Sequence, residues 1–144
     1  MGEIGYAVRV MPPVADDEQL IRGTLRRLID AGYGVIITTG GVGAEEKDLT
    51  VEAVLGLGGG AAVVDVTHYV PGEHRHTKRS VRLACASNSG TLLITLPGPN
   101  EEVRLCLRVL QELLPRGASP GEIAEALGQA LRRFMRSKLR GEEE

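Results

Sequence analysis

A chain of 144 residues, 42% hydrophobic and 25% charged, has the size and make-up of one globular domain over residues 1–140 with a short acidic tail at 141–144. A net charge of -2 lacks the basic excess of a nucleic-acid module, and no apolar run approaches the ~20 residues that cross a bilayer. With no charged-then-apolar leader at Met1-Gly2-Glu3-Ile4 either, the expectation is a cytoplasmic protein without nucleic-acid or membrane partners.

Tyr6 to Val10 alternates apolar and polar residues and stops at Pro12-Pro13, which predicts a short strand. Asp16 then opens a helix in which Leu20, Ile21, Leu25, Leu28 and Ile29 recur at helical spacing. Gln19 completes a capping box with Asp16, and Gly32 ends the run. Gly34 to Thr38 is nearly continuous apolar sequence, as in a strand covered on both faces. After a glycine loop, Thr50 to Leu57 reads as a helix capped by Asp48, and Ala61 to Thr67 as the next strand. Residues 68–80 are basic and irregular and read as a long loop. Its three histidines, His68, His74 and His76, match no familiar zinc spacing and have no cysteine beside them.

Val81–Ser87 and Thr91–Leu96 flank Asn88-Ser89-Gly90, which predicts a hairpin with a three-residue connection. Asn100 is placed to cap a helix through Leu114. Ser119-Pro120-Gly121-Glu122 is a capping box with proline in the first turn, opening a final helix whose apolar face holds Ile123, Leu127, Ala130, Leu131 and Phe134. Cys85 and Cys106 sit inside apolar runs and read as buried free thiols. Strands alternating with helices predict an α/β sandwich with helices on both faces of a mostly parallel sheet plus a hairpin. In such sheets ligands bind beyond the carboxyl ends of the strands, where the loops at 11–17, 39–48 and 97–100 converge.

Thr38-Thr39-Gly40-Gly41-Val42-Gly43 is the segment best suited to chemistry. Glycines let ligand atoms approach bare backbone, and successive N–H groups form a concavity for an anion. The loop lacks the Gly-Lys-Ser/Thr of a P-loop and the glycine spacing of a dinucleotide fingerprint. On the residues alone, a plain connecting turn is an equally good reading. A carboxylate beside a phosphate site suits Mg²⁺, so Asp48 is a candidate metal ligand as well as a helix cap. Asp16 carries the same two readings.

The segment from Thr38 through Asp48-Leu49-Thr50-Val51-Glu52-Ala53 resembles the signature of the molybdopterin-binding domain family, Thr-Gly-Gly-x-Gly, a spacer, then Asp-x-Thr-x-Glu-Ala. Val14-Ala15-Asp16-Asp17 resembles the stretch ahead of that signature, and Leu96-Pro97-Gly98-Pro99-Asn100-Glu101 its Leu-Pro-Gly-x-Pro loop. The family includes MogA/MoaB-like and CinA N-terminal-like proteins, and Val42 and the Pro97 loop look more CinA-like. The resemblance begins at the family's second strand and implies a preceding strand–loop–helix unit of about thirty residues.

It also implies a three-layer α/β/α sandwich and a site in which Thr38, Thr39, Gly40, Gly41 and Gly43 cradle a phosphate. Asp16 and Asp48 would be the functional carboxylates, with Asp48 toward the metal. Thr50 and Glu52 would line the same motif, and Pro97 and Gly98 the opposite wall. Three functions are open under it. One is molybdopterin binding within molybdenum cofactor biosynthesis, with ATP and Mg²⁺ for adenylylation. The others are a CinA-like, Mg²⁺-dependent hydrolase of nucleotide pyrophosphates such as ADP-ribose, and a non-catalytic binding or assembly module. The resemblance further implies a homo-oligomer, trimer or dimer, with the hairpin or the Tyr6–Val10 strand near the contact.

Overall fold

The computed structural model describes residues 7–40, 49–57, 59–70 and 77–139. In chain order these form α1 (Glu18–Asp30), β1 (Val35–Thr39), α2 (Leu49–Leu57), β2 (Gly59–Val70), β3 (Thr77–Asn88), β4 (Thr91–Leu96), α3 (Asn100–Leu113), a 3₁₀ turn (Leu114–Arg116) and α4 (Pro120–Leu139). The four strands make one sheet in the order β1-β4-β3-β2. β1 runs parallel to β4, from Val35 opposite Leu92 to Thr39 opposite Leu96, while β4–β3 and β3–β2 are antiparallel. The sheet is therefore mixed where a mostly parallel one is predicted, because the long β2–β3 pair supplies half of it.

Alternation along the strands builds two cores. Ile36, Ala84, Ala86 and Leu93 face α1 and α2; Leu83, Cys85, Ile94 and Leu96 face α3 and α4. The small Ala84 and Ala86 let α2 approach with Val51, Ala53 and Val54 fully buried. The opposite face instead receives large aliphatic side chains, Leu110, Ile123, Leu127 and Leu131 among them. The result is the three-layer α/β/α sandwich. Cys85 and Cys106 are free and buried in its second core, and burial pushes both thiols up to about 12, with the Glu102 carboxylate adding to the effect at Cys106.

Local signals decide most element ends. Ser119 and Glu122 make the reciprocal capping box: Ser119 N–H donates to Glu122 Oε1 at 2.9 Å, and Glu122 N–H to Ser119 Oγ at 3.2 Å. These bonds hold the exposed Glu122 carboxyl below its ordinary pKa, so the interaction is present at neutral pH and is lost as pH falls. The hairpin turn is shorter than the predicted three residues. Asn88 pairs with Thr91, and Ser89 (φ 52°) and Gly90 (φ 84°) alone form the turn, the geometry of type I′. Asn88 Nδ2 also donates to the Leu57 carbonyl, closing the end of α2.

Four expectations are corrected. Asp17, not Asp16, caps α1, because Asp17 has extended backbone (φ -145°, ψ 120°) and accepts from the N–H groups of Gln19 and Leu20. The cap of α3 is Pro99, with no side-chain bond, and Asn100 is already helical. Residues 7–10 form no strand; no neighbouring strand pairs with them, and Val8 and Val10 are 58% and 88% exposed. Residues 68–80 are not one loop, since β2 runs to Val70 and β3 begins at Thr77, with His68 opposite Arg79. Tyr6, Gly41, Gly43, Asp48, His74 and His76 lie outside the described residues.

β4 parts from β3 beyond Cys85 and Ile94, the first pair of their ladder. There the fully buried Thr95 turns its hydroxyl to Ala84, whose N–H donates to Oγ1 at 2.8 Å. Replacing Thr95 with Val leaves that buried N–H without an acceptor, so urea denaturation should show a loss of about 1–3 kcal/mol, with Thr95→Ser losing less. For α1, Asp17→Ala should cost about 1 kcal/mol, and Asp16→Ala less than about 0.5 kcal/mol, in paired thermal melts. Equal losses would mean the cap is assigned to the wrong carboxylate.

Candidate functional site

Parallel pairing puts the carboxyl ends of β1 and β4 on the same edge of the sheet. The Gly40 N–H donates to the Leu96 carbonyl at 3.0 Å, extending the ladder one residue beyond β1. The chain then turns at Gly40 with φ 83°, a conformation side chains disfavour. Across from it, a Cβ built on Gly98 would lie 3.6 Å from Gly40 Cα. Two predicted site glycines from loops 58 residues apart therefore meet backbone to backbone, and Pro97 is buried behind them.

A cavity of about 750 Å³ opens beside this contact and includes Asp16, Thr38, Thr39, Gly40 and Thr50 in its lining. Asp16, free of the capping role, is exposed at its rim. Thr50 is buried at the start of α2. Thr38 Oγ1 is buried without a hydrogen-bond partner, an orphaned hydroxyl at the end of β1. An unmade bond of this kind is costly, and a ligand oxygen or a water would satisfy it. Because Gly40 has already spent its N–H on Leu96, backbone donors for an anion have to come from residues after it.

Glu52 does not join the site. It is exposed on the outer side of α2, and its carboxylate pairs with Arg82 of β3 at 3.4 Å. Gly41, Gly43 and Asp48 fall outside the described residues. Among the described residues, no group of three His, Cys, Asp or Glu side chains is gathered as a metal site. Val103 and Leu107 of α3 also line the cavity. Sequence reading places both on the apolar stripe of α3 and assigns them to the core, because periodicity does not distinguish a residue that packs from one that borders a cavity.

Comparison with known proteins agrees with this geometry. The family model described as "Probable molybdopterin binding domain" matches residues 1–116. The molybdenum cofactor synthesis protein cinnamon of Drosophila melanogaster is 31% identical over 106 residues, covering 71% of this chain and 18% of that protein. The molybdenum cofactor biosynthesis bifunctional protein of Synechococcus elongatus is 32% identical over 126 residues, covering 76% of this chain and 37% of that protein. The chain thus spans well under half the length of either relative. The solved structure of MogA superimposes with a TM-score of 0.57 at 23% identity, covering 88% of this chain and 82% of that one, and shares its fold. By the extent of the family match and the fold that carries it, the chain belongs to the molybdopterin-binding domain family.

Proposed function

We propose that the chain binds molybdopterin through its phosphate at the edge where β1 and β4 end, and with ATP and Mg²⁺ transfers AMP to that phosphate. The observation that carries the reading is the buried, unpartnered Thr38 hydroxyl in a cavity it shares with Asp16 and Thr50, next to the Gly40–Gly98 contact. The hydroxyl is suited to donate to a ligand oxygen. The bare backbone at Gly40 lets a phosphate come closer than any side chain would allow. Gly41 and Gly43 continue the loop and are suited to offer N–H donors to the same anion.

The donor set also fits magnesium. Mg²⁺ is commonly held by one or two carboxylates together with substrate phosphates and water, not by an all-protein cage. Asp16 and Asp48 are the carboxylates available for that role. When bound, the ion would supply charge neutralisation between the two phosphate-bearing substrates. In the transfer, a molybdopterin phosphate oxygen bonds to the α-phosphorus of ATP as the bond to pyrophosphate breaks. The chain's contribution is to hold both groups in line and keep the attacking oxygen deprotonated beside backbone donors.

The test incubates purified protein with molybdopterin, ATP and Mg²⁺ and follows the adenylylated product and pyrophosphate by chromatography. Product should form, and Thr38→Val, of nearly equal shape, should weaken molybdopterin binding about tenfold while keeping the melting temperature close to wild type. Asp48→Asn keeps a capping side chain but removes the charge, so it should keep the fold and lose the Mg²⁺ dependence of ATP binding. Cleavage of ADP-ribose without AMP transfer would move the assignment to a nucleotide pyrophosphate hydrolase. Binding without either reaction would leave a non-catalytic module.

A further inference from the structure

We infer that the outer flank of β1 is a slot for one extended strand donated by a separate polypeptide. β1 is an edge strand of the sheet. The Leu92 N–H donates to the Gly34 carbonyl and the Gly40 N–H to the Leu96 carbonyl. With the two-residue period of a ladder, Gly34, Ile36, Thr38 and Gly40 turn their main chain toward β4. Val35, Ile37 and Thr39 turn theirs outward. Among the described residues no strand pairs with that side.

Proteins blunt such edges with lysine, proline, bulges or inward charges. The sequence Val35-Ile36-Ile37-Thr38-Thr39 has none of these. The helices instead project past the strand: Ile21 and Leu25 of α1 on one face and Val103 and Leu107 of α3 on the other line the same 750 Å³ cavity. An apolar roof and floor beside unpaired main chain is the environment of an interior strand.

The far wall is the run from Ala7 to Val14, which follows β1 in the same direction. At one end Arg9 reaches the Tyr33 hydroxyl at 3.4 Å, just before β1 begins. At the other, Asp16 shares the cavity with Thr39 and Gly40, where β1 ends. The two runs flank the gap without pairing across it. This wall admits a single chain and blocks the edge of a second sheet backed by its own helices.

Charge identifies the occupant's ends. Arg9 and Asp16 are the only charged residues lining the cavity among the described residues, and they stand at opposite ends of it. The complementary partner is a run of about five β-branched residues, parallel to β1, with a carboxylate before it and an ammonium after it. Its main chain would meet Val35, Ile37 and Thr39 on one side and the Ala7–Val14 wall on the other.

The probe is a fluorescein-labelled peptide with the core Glu-Val-Ile-Val-Ile-Val-Lys between soluble Gly-Ser tails, compared by anisotropy with its charge-reversed form Lys-Val-Ile-Val-Ile-Val-Glu. The full chain, without molybdopterin, should bind the first at least tenfold more tightly. Arg9→Glu, at an exposed position, should narrow or invert that preference. Ile37→Pro removes only an outward N–H that β4 does not use, so it should keep the melting transition and lower peptide affinity more than tenfold. Equal binding of both peptides, binding insensitive to Arg9→Glu, or no binding at 100-fold excess would overturn the inference. So would a wild-type dimer in sedimentation equilibrium that Ile37→Pro disperses, because a second copy would then be the occupant. None of these outcomes depends on whether molybdopterin binds.

Discussion

The parallel pairing of β1 with β4 is the constraint on which the rest depends. The two strands are separated in sequence by α2, β2 and β3, yet register Val35 with Leu92 and Thr39 with Leu96. That register ends both strands at one level. It places the turn at Gly40 beside the loop at Gly98, and the Gly40–Leu96 hydrogen bond locks the two loops together. A shift of one residue would carry every side chain of β1 to the opposite layer, exchanging Ile36 for Val35 and Ile37 in the core facing α1 and α2. Each helical layer thus specifies the register, and the register brings the two loops together.

The layers hold that arrangement with different chemistry. On one face alanines at 84 and 86 allow α2 to come close, so the start of α2 delivers Thr50 to the cavity. On the other face large aliphatic side chains from α3 and α4 cover β2 and β3 more deeply. Thr95 marks where the regular ladder ends; its hydroxyl stands in for a strand neighbour at Ala84 and lets β3 continue with β2 alone. The buried thiols fit the same account: both sit in the aliphatic layer, away from the cavity, with pKa values raised too far for nucleophilic work at neutral pH.

One edge of the sheet thus combines several unsatisfied features. The Thr38 hydroxyl is buried without a partner, Gly40 adopts a positive φ, and the outward main chain of β1 meets no strand among the described residues. A fold satisfied elsewhere and unsatisfied in one place concentrates its binding capacity there. The proposed phosphate site and the proposed strand slot occupy opposite ends of the same opening, with Asp16 and Thr39 at their boundary.

Much of this was legible in the residues. The capping box at Ser119–Glu122, the stop at Gly32, the Ser89-Gly90 turn and the glycine loop after β1 are local devices, and the order of strands and helices follows from hydrophobic period. The matching motifs likewise required no coordinates to suggest the family. Other features were decided only by tertiary structure. Asp16 and Asp17 are equally good caps on paper; the entry direction of the chain into α1 gave the bond to Asp17 and left Asp16 at the cavity. Glu52 sits in the motif but faces Arg82, because α2 presents its other side to the core. The run at residues 7–10 has strand sequence without strand structure, since a strand exists only through a neighbour's hydrogen bonds. Local propensity and period are properties of the chain; pairing, register and the side a helix presents belong to contacts between residues far apart in it.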